Sequence, residues 1–144
     1  MKVDPRASFV FPQEFLSEQA RRSESNQGRL LIASCANGTY MAEQVYQCYH
    51  GLLEESGSED GVVFLRDIDR QFSDTETLVR LNHHVGGADV FLFQGLLSPD
   101  QGYRANANYL SLLIAARAFR EHGARRVTAV LPYLTYARQD KPTK

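Results

Sequence analysis

The chain has 144 residues with 16 Lys and Arg against 17 Asp and Glu, and 43% of its residues are apolar. This is the usual size and composition of one globular domain. A formal net charge of −1 with interspersed signs excludes a strong attraction for nucleic acid or a membrane surface. The apolar runs are shorter than the ~20 residues that cross a bilayer, and residues 1–6 lack the apolar core of an export signal. We therefore expect a cytoplasmic protein.

The first 28 residues differ from the rest of the chain. An amphipathic helix is indicated after Pro12, and residues 23–28 form a polar stretch of the kind found in turns. We predict that residues 1–28 are a helical extension and linker, and that the globular part begins at Arg29.

From residue 29 onward, apolar strands alternate with amphipathic helices. Strands are predicted at 30–33, 62–65, 77–81, 89–94 and 126–131, and helices at 39–55 and 105–122. This alternation predicts an α/β domain in which helices cover both faces of a parallel sheet, giving three layers. No helix is predicted after the last strand, which would leave a sheet edge bare, so we expect a truncated domain.

The cysteines and histidines give no sign of a metal site. Cys35 and Cys48 lack the spacing of metal ligands or of a disulfide framework, and we predict that both are reduced and half-buried. His83 and His84 are adjacent, so on a strand they would point to opposite faces; we interpret them as turn residues.

Three loops follow predicted strands, where ligands of parallel α/β sheets bind. The first, 34–38, has neither dinucleotide-binding nor P-loop spacing. It also lacks the aspartates of a phospho-acceptor domain. The simplest interpretation is a capped helix start with Asn37 and Gly38 in a turn.

The second loop, 72–76, carries an aromatic residue and two acids at alternate positions. In an extended segment Phe72, Asp74 and Glu76 would share one face. A ring that stacks on a base, beside acceptors for an exocyclic amine, would suit adenine. The alternative is that Phe72 belongs to the core and the acids are solvated.

The third loop, 133–141, follows the last strand with a dense polar run. Arg138 offers a fork of donors suited to phosphate, Gln139 an amide and Lys141 a mobile charge. The alternative is a solvated basic tail.

Five segments together carry a resemblance to a known family. They are Phe-Ser-Asp-Thr-Glu at 72–76, Gly-Ala-Asp at 87–89, Asn-Ala-Asn at 106–108, Arg-Val-Thr-Ala-Val-Leu-Pro-Tyr at 126–133 and Tyr-Ala-Arg-Gln-Asp-Lys at 136–141. They closely resemble the N-terminal half of ribose-phosphate pyrophosphokinase, also called phosphoribosyl pyrophosphate synthetase. The resemblance implies that residues 29–144, with a phosphoribosyltransferase-like fold, are the N-terminal domain of a phosphoribosyl pyrophosphate synthetase-like protein whose C-terminal domain is absent.

The resemblance also implies an activity and its substrates. Such an enzyme transfers the diphosphoryl group of MgATP to ribose 5-phosphate and yields phosphoribosyl pyrophosphate and AMP. Magnesium would enter with ATP, and a homo-oligomer is expected. The family's metal-binding histidine and catalytic loops would lie beyond residue 144, so the parent would be the enzyme and this fragment alone inactive.

The resemblance assigns roles to residues of the second and third loops. Phe72 would stack on adenine, in a site that a neighbouring subunit completes. Asp74 and Glu76 would accept hydrogen bonds there. ATP would be held from the other side by Arg138, Gln139, Asp140 and Lys141. Arg138 would also be the catalytic residue, since it contacts the phosphates whose negative charge must be neutralised.

Three departures from the family pattern support a second hypothesis. Lys141 is followed by Pro142 instead of a second basic residue, and Gly86 replaces the arginine of a phosphate-binding element. Within the second predicted helix, the segment 106–111 lacks the two acids of the family pattern, and its last residue is Ser111. The alternative is a non-catalytic associated or regulatory subunit of such an enzyme.

Overall fold

The computed structural model describes residue 17 and residues 28–58, 61–98 and 104–139. Ser17 is helical, but the rest of the predicted helix and linker before Gly28 lies outside the described residues. Asp140 and Lys141 lie outside them as well.

Strands and helices alternate along the described chain, as the sequence predicts. The elements are β1 (Leu30–Ser34), a 3-10 turn (Ala36–Gly38), α1 (Thr39–Ser56), β2 (Val63–Leu65), β3 (Asp69–Gln71), β4 (Thr77–Val79), β5 (Asp89–Phe93), α2 (Ala105–Glu121), β6 (Arg126–Val130) and a second 3-10 turn (Ala137–Gln139). Both predicted helices are confirmed to within a residue at each end.

The main sheet is parallel throughout, with strand order β2-β1-β5-β6. Leu31 is in register with Val63 on one side and with Val90 on the other, and Val90 is in turn in register with Val127. The apolar strands are therefore paired side by side in the middle of the domain.

The two helices cover opposite faces of this sheet. Leu31 and Val90 pack in one core cluster with Phe119 of α2. Ile32 and Phe93 point the other way and pack in a second cluster with Ala42 of α1. Because alternate strand residues face opposite sides, this arrangement gives the predicted three-layer α/β fold.

One predicted strand does not belong to the main sheet. The sequence pattern predicts residues 77–81 as a strand of that sheet, but Thr77–Val79 pairs with Asp69–Gln71 as an antiparallel hairpin. The segment alternates correctly for a strand, yet alternation gives no information on which strand is the partner. The hairpin packs on α2 instead, with Val79 against the larger core cluster.

The predicted half-burial of the cysteines is wrong for both. Cys35 is fully buried after β1 and Cys48 is exposed on α1, and both thiols are free. Burial raises the pKa of the Cys35 thiol, and the nearby Asp69 carboxylate raises it further. The Cys35 thiol therefore stays protonated. No helix of the described residues is long and apolar enough to span a membrane.

Candidate functional site

The carboxyl ends of β1 and β2 are joined by polar contacts. The Thr39 hydroxyl bonds to Ser34 Oγ at 3.0 Å and donates to Asp67 Oδ1. The backbone N–H of Ala36 donates to Asp69 Oδ1 at 2.6 Å. The predicted turn at Asn37 and Gly38 is present as the 3-10 turn, but no side chain caps the helix. These contacts fix the position of the hairpin that follows β2.

Asn108 connects the first turn of α2 to two loops at this edge of the sheet. Its Oδ1 accepts a bond from Asn37 Nδ2 at 2.7 Å, and its Nδ2 donates to the Leu96 carbonyl at 3.3 Å. Its backbone carbonyl accepts from Gln94 Nε2 at 3.0 Å. The first turn of α2 is therefore tied to the loops after β1 and β5.

The segment 72–76 is the turn of the hairpin and not an extended strand. The Phe72 N–H donates to the Glu76 carbonyl at 2.8 Å, and the Thr75 N–H donates to the Phe72 carbonyl at 3.0 Å. Asp74 Oδ1 accepts from the Glu76 N–H at 3.1 Å. The argument that Phe72, Asp74 and Glu76 share one face of a strand is therefore wrong, because the chain reverses between them.

The hairpin turn presents its side chains to solvent. Phe72 is 53% exposed, and Asp74 and Glu76 are exposed beside it. The interpretation of Phe72 as a core residue is thereby excluded. An exposed aromatic ring flanked by two carboxylates has the groups needed to stack on a base and to accept its amine hydrogens.

The hairpin is connected to the start of α2. Arg104, immediately before α2, donates to Gln71 Oε1 at 2.9 Å. Gln71 Nε2 in turn donates to the Thr75 carbonyl at 3.1 Å within the turn. This chain of bonds places the turn that carries Phe72 near the N-terminus of the helix.

The loop after β6 folds against the same end of α2. The Tyr136 hydroxyl donates to Asn106 Oδ1, and its ring packs edge-on against Tyr109 at 5.9 Å between centroids. Arg138 lies two residues further on, in the second 3-10 turn, with an exposed side chain. Its guanidinium makes no hydrogen bond or ion pair to another described residue, so it is available to an anion.

A small cavity of about 110 Å³ lies between the hairpin and α2. Its lining includes Asp69, Gln71, Arg104, Ala107, Asn108 and Ser111. Two buried oxygens elsewhere at this edge, Gln94 Oε1 and Thr135 Oγ1, lack a hydrogen-bond partner within the described residues.

The structure thus brings the second and third predicted loops to one helix end. Phe72, Asp74 and Glu76 are joined to it through Gln71, and Arg138 through Tyr136.

Sequence reasoning missed the residues that make these connections. Arg104 and Gln71 belong to no motif, and Asn108, although it lies in the segment 106–108, was assigned no role by the resemblance. A polar residue at a predicted helix start was the available signal.

Two departures from the family pattern lie among the described residues. A Cβ at Gly86 would lie 2.9 Å from the ring of the exposed His84, which would have to shift to admit a larger residue. Ser111 is buried in the wall of the small cavity. The described residues contain no group of three His, Cys, Asp or Glu side chains placed to hold a metal ion.

Comparison with known proteins identifies relatives of this chain. The sequence pattern of the family described as the N-terminal domain of ribose phosphate pyrophosphokinase matches residues 30–144. A ribose-phosphate pyrophosphokinase of Hyphomonas neptunium is 46% identical over 74 residues, covering 51% of this chain and 22% of that protein. A ribose-phosphate pyrophosphokinase of Granulibacter bethesdensis is 47% identical over 72 residues, covering 50% of this chain and 22% of that protein.

A solved structure shares the fold. The crystal structure of phosphoribosylpyrophosphate synthetase from Mycobacterium smegmatis superposes with a TM-score of 0.58 at 29% identity, over 78% of this chain and 33% of that one. The chain matches about a fifth of the length of the curated relatives.

Proposed function

We propose that this chain, which belongs to the family of N-terminal domains of ribose phosphate pyrophosphokinase, forms the ATP-binding part of a ribose-phosphate diphosphokinase. The reaction is transfer of the diphosphoryl group of MgATP to ribose 5-phosphate, giving phosphoribosyl pyrophosphate and AMP. The observation that carries the proposal is the joint anchoring of two exposed loops, one with Phe72 and one with Arg138, to the first turn of α2.

The hairpin turn supplies the adenine end of the proposed site. Phe72 stacks on the base, a contact worth about 1–3 kcal/mol for an aromatic side chain and a nucleobase. Asp74 and Glu76 accept hydrogen bonds. Because all three are exposed, a neighbouring subunit is expected to close this end of the site.

The loop after β6 supplies the phosphate end. Arg138 donates to the phosphate oxygens and neutralises the negative charge that spreads over them during transfer. Gln139, Asp140 and Lys141 follow it in sequence and complete this end in the proposal. Magnesium enters as part of the MgATP substrate.

The test is a calorimetric titration of the 144-residue chain with a nonhydrolysable MgATP analogue. Arg138→Ala is expected to raise the Kd at least tenfold, since a hydrogen bond to a charged group is worth about 1.5–3 kcal/mol. Arg120→Ala is the matched control, because Arg120 is an exposed cation in the last turn of α2. Equal affinity of wild type and Arg138→Ala would overturn the role of Arg138.

A second candidate is a non-catalytic subunit that keeps the fold and the nucleotide contacts. It is favoured by the small cavity, where Ala107 and Ser111 stand at the positions of the two missing acids. Formation of AMP from ATP and ribose 5-phosphate, assayed in a longer protein that contains these 144 residues, separates the two. Steady turnover excludes the non-catalytic candidate, and its absence in a protein that still binds the ATP analogue favours it.

A further inference from the structure

A second cavity, of about 230 Å³, lies between the end of β2 and the hairpin. Three arginines line it, together with residues of both neighbouring elements: Arg66, Arg70, Arg80, Asp67, Leu78 and Asn82. We call it the arginine cavity. None of the residues assigned to ATP lines it.

The hairpin register explains why arginines meet here. Arg70 is directly opposite Leu78 in the antiparallel pair, and Arg80 follows Leu78 by two positions. Alternate strand residues share a face, so these three side chains extend from one face of the hairpin. The opposite face carries Gln71 and Val79, which contact Arg104 and the core.

The three arginines differ in their electrostatic surroundings. Arg66 donates to both carboxylate oxygens of Glu43, at 3.2 and 3.1 Å, and lies 3.6 Å from Asp67. Asp67 also accepts a bond from Thr39. The guanidinium groups of Arg70 and Arg80 have no ion pair or hydrogen bond to another described residue. The cavity therefore combines one arginine that acids hold in place with two that make no ion pair within the described residues.

The size and lining of the cavity indicate the class of ligand. A volume of about 230 Å³ is several times the roughly 30 Å³ that one water molecule occupies in the liquid, so a small anion fits in the cavity. Guanidinium groups match the geometry of phosphate oxygens, and Asn82 adds a side-chain amide. Leu78, which is 40% exposed, gives the cavity an apolar wall.

We propose that the arginine cavity binds a phosphoryl group, either as inorganic phosphate or as part of a small phosphate ester. None of the residues proposed to bind ATP lines this cavity, and the proposal does not depend on them, although Arg70 also lines the small cavity between the hairpin and α2. Arg70 and Arg80 make the principal contacts, and Arg66 lines the cavity beside them.

The experiment is a calorimetric titration of the 144-residue chain at low ionic strength, first with inorganic phosphate and then with glycerol 3-phosphate. One anion per chain is expected to bind, with an affinity that falls as salt is added. If the ester binds more tightly than inorganic phosphate, the apolar wall of the cavity contacts the ligand's carbon skeleton. Equal affinities assign the site to the phosphoryl group alone.

Substitutions locate the binding. Arg80→Gln and Arg70→Gln are each expected to raise the Kd about tenfold, and Arg80→Lys is expected to retain more affinity than Arg80→Gln because it keeps the charge. Arg117→Ala, on the exposed side of α2, is the control and should bind like wild type. Both cavity arginines are exposed, so circular dichroism should show each variant folded.

Three results would overturn the proposal. The first is that neither anion binds to the folded wild type. The second is that both glutamine variants keep the wild-type affinity. The third is that Arg138→Ala loses anion binding while Arg80→Gln retains it. The last result would assign the anion to the loop after β6. Failure of ATP binding alone, with intact binding of phosphate, would overturn the proposed function and leave this site standing.

Discussion

Gly38 occupies the closest approach of two backbone segments at the proposed site. A Cβ there would lie 2.2 Å from the Phe93 carbonyl oxygen and 2.4 Å from its carbon. Backbone atoms of a central strand cannot move aside, so the turn before α1 requires glycine at this position.

We predict that Gly38→Ala lowers the free energy of unfolding by about 1–3 kcal/mol, the range for overpacking. Urea denaturation measures it. Gly51→Ala is the matched control, because Gly51 lies within α1 and a Cβ added there would have no neighbouring atom within 4 Å. That change should stabilise the helix by about 0.5–1 kcal/mol. Equal effects of the two substitutions would contradict the packing described for Gly38.

Asp89 and Arg125 form a two-bond ion pair at the amino end of β5. Arg125 Nε and Nη2 donate to the carboxylate at 3.0 and 2.7 Å. The hydrogen bond from Arg125 holds the pKa of Asp89 below its usual value. A carboxyl pKa that is lower in the folded than in the unfolded chain stabilises the fold above the unfolded pKa of about 3.9. That stabilisation is lost as the pH falls through the folded-state pKa.

We predict that Asp89→Asn lowers the free energy of unfolding at pH 7 by about 1–2 kcal/mol. The difference from wild type should shrink as the pH falls below about 4, which urea denaturation across a pH series measures. Glu121→Gln removes the exposed pair with Arg117 and should cost no more than about 0.5 kcal/mol. A difference that stayed constant down to pH 2 would contradict the ion pair.

Thr75 is the strained residue of the hairpin element. Its φ is +75°, a region that suits glycine and is unfavourable for a β-branched side chain. The hydrogen bond from its N–H to the Phe72 carbonyl keeps it there.

We predict that Thr75→Gly stabilises the chain by roughly 0.5–1 kcal/mol, the relief of strain less the entropy that glycine loses. Thermal denaturation measures it. Ser73→Gly, in the same turn at a residue without positive φ, should be neutral or destabilising. If Thr75→Gly destabilised as much as Ser73→Gly, the turn conformation would be wrong.

The main sheet was predictable because its signal is local. Apolar runs such as 30–33 and 89–94 mark buried strands, and the helices between them have amphipathic spacing. The hairpin was not predictable in the same way. Thr77–Val79 alternates like any strand, and its antiparallel partner Asp69–Gln71 is polar and only three residues long.

The candidate site was predictable only in its two loops. Phe72 and Arg138 were found through residue chemistry and a family resemblance. Their connection to α2 depends on hydrogen bonds of Gln71, Arg104 and Tyr136. Such long-range polar pairs leave no periodic trace in a sequence.

At the scale of the whole molecule, apolar side chains remain exposed around α2 and the loop after β6. Leu110 and Leu113 of α2 are 52% and 50% exposed, while Phe119 on the same helix is buried. Tyr133 and Leu134 add to this surface. Each ~100 Å² of apolar surface hidden from water contributes about 2.5 kcal/mol, so burial against a second chain would be favourable.

We predict a dimer or larger assembly at micromolar concentration, measured by sedimentation equilibrium. Leu113→Asp should shift the distribution toward the monomer. Val45→Asp, at a residue of similar exposure on α1, is the control and should leave it unchanged. A monomer at every concentration would refute the association and would leave the hairpin turn without a neighbouring subunit.

The central claim is that the hairpin turn and the loop after β6 hold one ATP molecule between them. Calorimetric titration of a nonhydrolysable MgATP analogue into wild type, Phe72→Ala, Arg138→Ala and the double variant tests it most directly. The account predicts that one nucleotide binds per chain. Phe72→Ala should weaken its affinity roughly 5- to 150-fold through loss of stacking, and Arg138→Ala should weaken the affinity as well. Binding should be abolished in the double variant. Wild-type affinity in Phe72→Ala, or an isotherm in which the two substitutions remove two separate binding events, would contradict it.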